Sequence, residues 1–281
     1  MSATVFCAVL LAAAMHAGWN AVVKTGRDRY ASITLIALGG AIVSAATLPF
    51  VESPHAAARP WLLTSAALHI GYNLFLIEAY RTGDLGQVYP IARGSAPLLV
   101  SLVTVPLLGE ALDPLAAAGL LVLSAGICLM AFGGGRSVTR IGGRSIAFAL
   151  GTSAFIASYT ITDGIGSRTN GSPHGYAAWL FFLDGVLMLL VLLARRGVAG
   201  LRALAPVWRP GLAGGAMSLA AYWIVIWAMT RAPIGLVAAL RESSVLFAAS
   251  ISVVILREPL TVWRSIAGLT IVAGIALARI G

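Results

Sequence analysis

Charge is what this sequence has least of. Only 10% of its 281 residues are Asp, Glu, Lys or Arg, where soluble domains carry about 25%. So few charges cannot cover a water-facing surface, which excludes a soluble globular protein and makes lipid the solvent of the chain. Cysteine is scarce too: Cys7 and Cys128 stand inside apolar runs without metal or redox spacing, and read as small hydrophobes. No P-loop, zinc-ligand spacing or nucleophile elbow occurs, so no membrane enzyme, resident metal or cofactor is expected. The polar gaps are short and leave no room for a soluble domain. What remains is a polytopic membrane protein, 59% hydrophobic with a mean hydropathy of +0.92.

A helix needs roughly 20 apolar residues to cross ~30 Å of hydrocarbon. Ten runs qualify, at about 3–24, 31–51, 61–81, 85–108, 113–132, 143–165, 174–194, 209–230, 234–256 and 261–279. They are continuous rather than alternating in ~10-residue segments, which argues against a β-barrel. The first run has no basic residue before it and Lys24, Arg27 and Arg29 after it, so a retained span is expected rather than a cleaved signal.

The two halves resemble each other. RGSAPLLVSLVTVPLLGEAL (93–112) aligns without a gap on RESSVLFAASISVVILREPL (241–260), setting Arg93 on Arg241 and Glu110 on Glu258. AYRTGDLG (79–86) matches AMTRAPIG (228–235) with one residue slipped, and HAGWNAVVK (16–24) aligns more loosely with IASYTITDG (156–164). The expected units are 1–132 and 143–281, five helices each, joined by a linker at 133–142. After an odd number of crossings the second unit begins on the opposite side, so the repeats are inverted, a recurrent device of secondary transporters.

The net charge of +9 comes from nineteen basic residues, all arginine except Lys24. Most lie in gaps between spans, where they signal topology rather than nucleic-acid binding. Arg59, Arg168, Arg231 and Arg279 fall on the side of the even-numbered connections, and Arg93 and Arg241 fall within spans. All the others fall on the opposite side. That side is expected in the cytoplasm of a bacterium, with both termini periplasmic and the protein in the inner membrane.

Arg93 and Arg241 are therefore exceptional. An arginine at the bilayer centre costs about 2.5–3.5 kcal/mol on insertion scales, so it faces a bundle interior or a wet cavity. Arg93 shares a helix face with Tyr89 and lies between Pro90 and Pro97, whose broken hydrogen bonding suits a cavity wall. A guanidinium there can clamp a carboxylate or phosphate. Polar faces accompany it: His16, Trp19 and Asn20 in the first span, Tyr72 and Asn73 in the third, Tyr159 in the sixth, and Trp223 in the eighth. These ten residues are the expected substrate contacts. His69, Glu78 and Asp163, with His16, are proton-coupling candidates, since histidine titrates near neutral pH and a carboxyl taken out of water can join it there. Glu110 and Glu258 read as loop and helix-entry residues.

The sequence resembles the drug/metabolite transporter superfamily in its ten-helix form with two EamA-type domains. HAGWNAVVK, AYRTGDLGQVYPIARGSAP and GEALDPLAAAGLLVLSAGICL carry the resemblance in the first half, and AMTRAPIGLVAAL and REPLTVWRSIAGLTIVAGIAL carry it in the second. The second half departs from the pattern in having Ala239 where the first has Pro90. The resemblance implies an all-α helical basket with a central cavity formed by spans one, three, four, six, eight and nine, and peripheral spans five and ten. It also implies export of amino acids or other small metabolites by alternating access, or exchange of organic phosphates or nucleotide sugars. The expected partners are a small-molecule substrate and the bilayer, with the protein a monomer or homodimer. A non-transporting membrane binding protein is the expectation from another class.

Overall fold

In hydrocarbon every backbone N–H and C=O must find its partner inside its own segment, so apolar runs of this length become helices. The computed structural model describes residues 1–25, 28–82, 85–133, 142–254, 257 and 260–281, and among these no strand occurs. Most of the expected linker and Glu258 lie outside the described residues, as do the side chains of Lys24 and Tyr89. The first seven spans are α1 (Ala3–Thr25), α2 (Arg29–Thr47), α3 (Arg59–Thr82), α4 (Leu85–Leu108), α5 (Pro114–Gly133), α6 (Gly143–Asn170) and α7 (Pro173–Arg196). A single turn, α8 (Ala199–Arg202), precedes the eighth span, α9 (Trp208–Met229). The ninth is divided into α10 (Ile234–Arg241) and α11 (Ser244–Val254), and α12 (Val262–Ile280) is the tenth. Among the described residues nine helical stretches are long and apolar enough to cross a membrane, and Pro114–Met130 of α5 is a shorter tenth.

Two boundaries have clear local causes. α6 runs five residues beyond the expected 165, with GSRTN (166–170) continuing the helix. Gly171, at φ 73°, then ends it in the left-handed conformation that glycine adopts freely. Ser172 caps α7 through the Gly175 N–H, with Pro173 at the first helical position. At the start of α2 the Asp28 side chain accepts the Ala31 N–H and pairs with Arg196. Burial alone would raise that carboxyl, but the Arg196 hydrogen bond and the Ala31 N–H hold it below its ordinary value.

Packing reveals the symmetry. α3 packs on α6 as α1 packs on α9, and α4 packs on α6 as α1 packs on α10 and α11. α2 meets α7, α4 meets α10, and α5 meets α12. Exchanging each span for the one five further along maps these contacts onto one another, which is what two inverted repeats require, although the broad α4–α5 contact has no counterpart of like size between the ninth span and α12 among the described residues. Arg279 Nη1 donates to the Met1 carbonyl at 3.3 Å, so the two ends of the described chain lie together. Leu63, Leu102, Leu121, Leu190 and Leu269 point outward, where lipid takes the place of water.

α5 and α12 pair at the periphery through small residues. A Cβ added at Gly119 would lie 2.4 Å from the Ala278 backbone nitrogen, and one at Gly274 would lie 2.5 Å from that of Leu123. Close backbone approach of this kind replaces the hydrophobic drive that helices lack inside a bilayer. Gly119→Val is therefore expected to lower thermal stability in detergent by about 1–3 kcal/mol, the usual cost of overpacking. An unchanged melting curve would count against this seam.

Candidate functional site

The ninth span is broken where its charges lie. α10 ends at Arg241, and Glu242 and Ser243 form a turn before α11 begins. The Ser243 N–H donates to the Leu240 carbonyl at 3.1 Å, and the Ser243 hydroxyl donates to the same oxygen at 2.6 Å. These short-range bonds keep the backbone satisfied while the helix tightens. No proline is involved. Its counterpart α4 contains Pro90, Pro97 and Pro106 and runs on as one helix, so the departure at Ala239 does not predict which helix breaks.

The break lets one carboxylate serve two repeats. Glu242 is fully buried, with Arg93 and Arg241 only 1% and 2% exposed. Arg93 Nε contacts Glu242 Oε2, and Arg241 Nη2 donates to Glu242 Oε1 at 3.3 Å. The two repeat-related arginines thus meet on a single acid, and the cluster retains one positive charge. Arg241 Nε has no hydrogen-bond partner among the described residues.

Beside Arg241 lies a cavity of about 70 Å³. Its aromatic wall is His69 stacked on Tyr159 (4.1 Å between centroids), with Tyr72 and Tyr222 edge-on to Tyr159 at 5.6 and 5.9 Å. The Arg241 guanidinium carbon lies 5.8 Å from the Tyr159 ring centre and 5.5 Å from that of Tyr222, within cation–π range. His16 and Trp19 line the cavity from α1, Asn73 from α3, and Phe181 and Asp184 from α7. Trp19 Nε1 donates to His16 Nδ1 at 3.2 Å. An indole is a donor only, so the His16 proton is on Nε2, and that buried nitrogen has no partner among the described residues. In His69 it is Nδ1 that carries a proton, since it lies 2.9 Å from the Ser65 carbonyl, which only accepts.

The structure sorts the expected residues. His16, Trp19, His69, Tyr72, Asn73, Tyr159 and Arg241 come together around the cavity. Arg93 does not line it and lies behind, on Glu242. Asn20 donates to the His16 carbonyl at 2.8 Å, within its own helix. Trp223 points elsewhere, donating to His174 at 2.7 Å. Glu78 pairs with Arg81 one residue from the end of α3. Asp163 lies one layer out, accepting from Tyr176 at 3.0 Å and from the cavity-lining Tyr222 at 2.6 Å. Spans two and seven contribute to the lining, and no described residue of span four does, which corrects the cavity composition that the family resemblance implies. Among the described residues no group of three His, Cys, Asp or Glu side chains forms a metal site.

Glu110 is more than a loop residue. Its carboxylate accepts the Ile234 N–H at the start of α10 at 2.8 and 3.0 Å, and accepts from Arg168 at 2.8 Å. Arg168 also donates to the Met229 and Ala232 carbonyls. A negative charge at a helix N-terminus is stabilising, and here it ties the first repeat to the second at the end of the bundle that holds the termini.

Two inverted helical units closing on a buried polar cavity define a membrane transporter of small molecules. The comparisons make the class specific: the EamA-like transporter family matches residues 3–132 and 143–280. The chain belongs to that family, within the drug/metabolite transporter superfamily, whose members are transporters rather than enzymes. A crystal structure superposes with a TM-score of 0.74 at 19% identity, over 99% of this chain and 96% of the other. At that identity the likeness concerns the fold. No curated protein matches the chain.

Proposed function

We propose that the protein exports a small carboxylate-bearing metabolite, an amino acid or close analogue, across the bacterial inner membrane. The observation that carries this is the cationic end of the cavity, where Arg241 lies beside His16. Arg241 shares its counter-ion with Arg93, and its buried Nε and the buried Nε2–H of His16 have no hydrogen-bond partner among the described residues. Together they suit a substrate carboxylate, with Trp19, Tyr72 and Tyr159 packing its apolar part. The units 1–132 and 143–281 would rock about this point, exposing it to each side in turn. His69 in the cavity wall and Asp163 behind Tyr222 are the groups that would carry protons during the cycle. The distribution of arginines supports termini on the periplasmic side.

An organic-phosphate exchanger of the same fold is less well supported. Such a site needs several cations on one phosphate, and among the described lining residues Arg241 is the one arginine. The test is counterflow in proteoliposomes preloaded with unlabelled amino acids or with sugar phosphate. Uptake of labelled amino acid above that of empty liposomes is expected. Uptake only against sugar phosphate would replace this reading with the exchanger, and no flux of either would remove it.

A further inference from the structure

Among the described residues three acids are buried within the spans, and their surroundings differ. Glu242 meets two arginines, and Asp163 accepts from two tyrosine hydroxyls. Asp184, eleven residues into α7, has one long hydrogen-bond contact among the described residues, from Asn73 Nδ2 at 3.5 Å. No cation lies within ion-pair distance of it among the described residues. It is 8% exposed, and unlike the other two it lines the cavity. A carboxylate at membrane depth persists where it pairs with a charge or faces a wet cavity; Asp184 faces the cavity, with His69 of the same lining close enough to act on it electrostatically, and a cation entering that cavity would meet it.

We propose that Asp184, oriented by Asn73, is the subsite for an ammonium group of the transported molecule. This rests on the carboxylate reading of Arg241 and narrows it: the substrate carries both charges. The rings support the assignment. Phe181 lies one turn before Asp184 on the same face of α7, and Tyr72 adjoins Asn73, both lining the cavity. Their π faces favour a cation. Arg241 lies against Tyr159 and Tyr222, and Tyr159 stacks on His69, one turn of α3 from Asn73. The positive and negative ends of the cavity are thus separated by an aromatic layer. A zwitterion neutralises both ends, whereas a dicarboxylate or phosphate ester would bring a second negative charge to Asp184.

Paired probes test this. Leucine and 4-methylpentanoate share a carbon skeleton and differ in the ammonium group, as do phenylalanine and 3-phenylpropanoate. Binding to purified protein and inhibition of counterflow are measured for each pair. Wild type should prefer the amine-bearing member of at least one pair by tenfold or more. In Asp184→Asn that preference should collapse, with affinity for the deaminated acid unchanged, and Asp184→Glu should recover part of it. Equal binding of both members by wild type overturns the ammonium subsite and leaves the carboxylate reading standing. So does an equal loss for both members in Asp184→Asn, which marks a structural role. If neither member of either pair binds, both readings fall. Should Asp184→Asn not fold, the wild-type pairs still decide.

Discussion

Glu242→Gln is expected to destabilise the folded protein more than any other single change considered. The side chain keeps its size, but two guanidinium groups would then face a neutral amide inside the bundle. Removing one partner from a buried ion cluster costs about 3–5 kcal/mol, because the remaining charge stays desolvated. Here the cluster goes from one net positive charge to two, in a chain whose solvent is lipid. Fluorescence-detected thermal unfolding in detergent should show a large drop. The double variant Arg93→Gln with Glu242→Gln should recover part of it, since it restores the net charge of wild type. The coupling between the two sites is the quantity of interest. Additive effects would mean that Arg93 and Glu242 act independently, contrary to their contact.

The extent of the helices was legible because each is set by local composition. Runs of about 20 apolar residues leave the backbone no choice, and local signals at their ends, such as Gly171 and Ser172 between α6 and α7 or Pro49 just after α2, moved the boundaries by a few residues. The inverted repeat was legible because five is odd and because Arg93 and Arg241 align. The break in span nine was not. Proline is the usual signal for a broken helix, yet the three prolines lie in unbroken α4 and the turn lies at Glu242–Ser243. From the sequence Glu242 can be read as a local counter-charge for Arg241, as the structure has it, but not as the partner that Arg93 shares, because that contact joins two spans that lie far apart in sequence. Neighbours in sequence do not face each other on a helix, which separates Tyr222 from Trp223: one lines the cavity and the other turns to His174. Asp184 was missed although it is an ionisable residue eleven positions into the apolar run PHGYAAWLFFLDGVLMLLVLLARR. The signal was present, but polar faces were sought as helically spaced groups, and Asp184 stands alone on its helix.

The two arginines, equivalent in sequence, are expected to separate by experiment. Arg241→Ala should abolish transport and weaken substrate binding by about 2–5 kcal/mol, between about 30-fold and several thousand-fold, as when one member of a buried charge pair is truncated. Arg241→Lys should restore little, because an ammonium cannot reproduce the planar fork that serves Glu242 and a carboxylate together. Arg93→Ala removes a contact behind the cavity rather than in it. Its substrate affinity should stay within a few-fold of wild type, while stability falls and turnover slows, since Arg93 links α4 of the first repeat to the broken span of the second. Isothermal binding and proteoliposome flux on variants that elute as single species would distinguish the two. Equal loss of affinity in both would show that they act on the substrate as a pair, with Glu242 displaced when substrate binds. Undiminished binding in Arg241→Ala would move the anion site elsewhere. The asymmetry has a physical origin: both arginines reach Glu242, but of the two only Arg241 also lines the cavity.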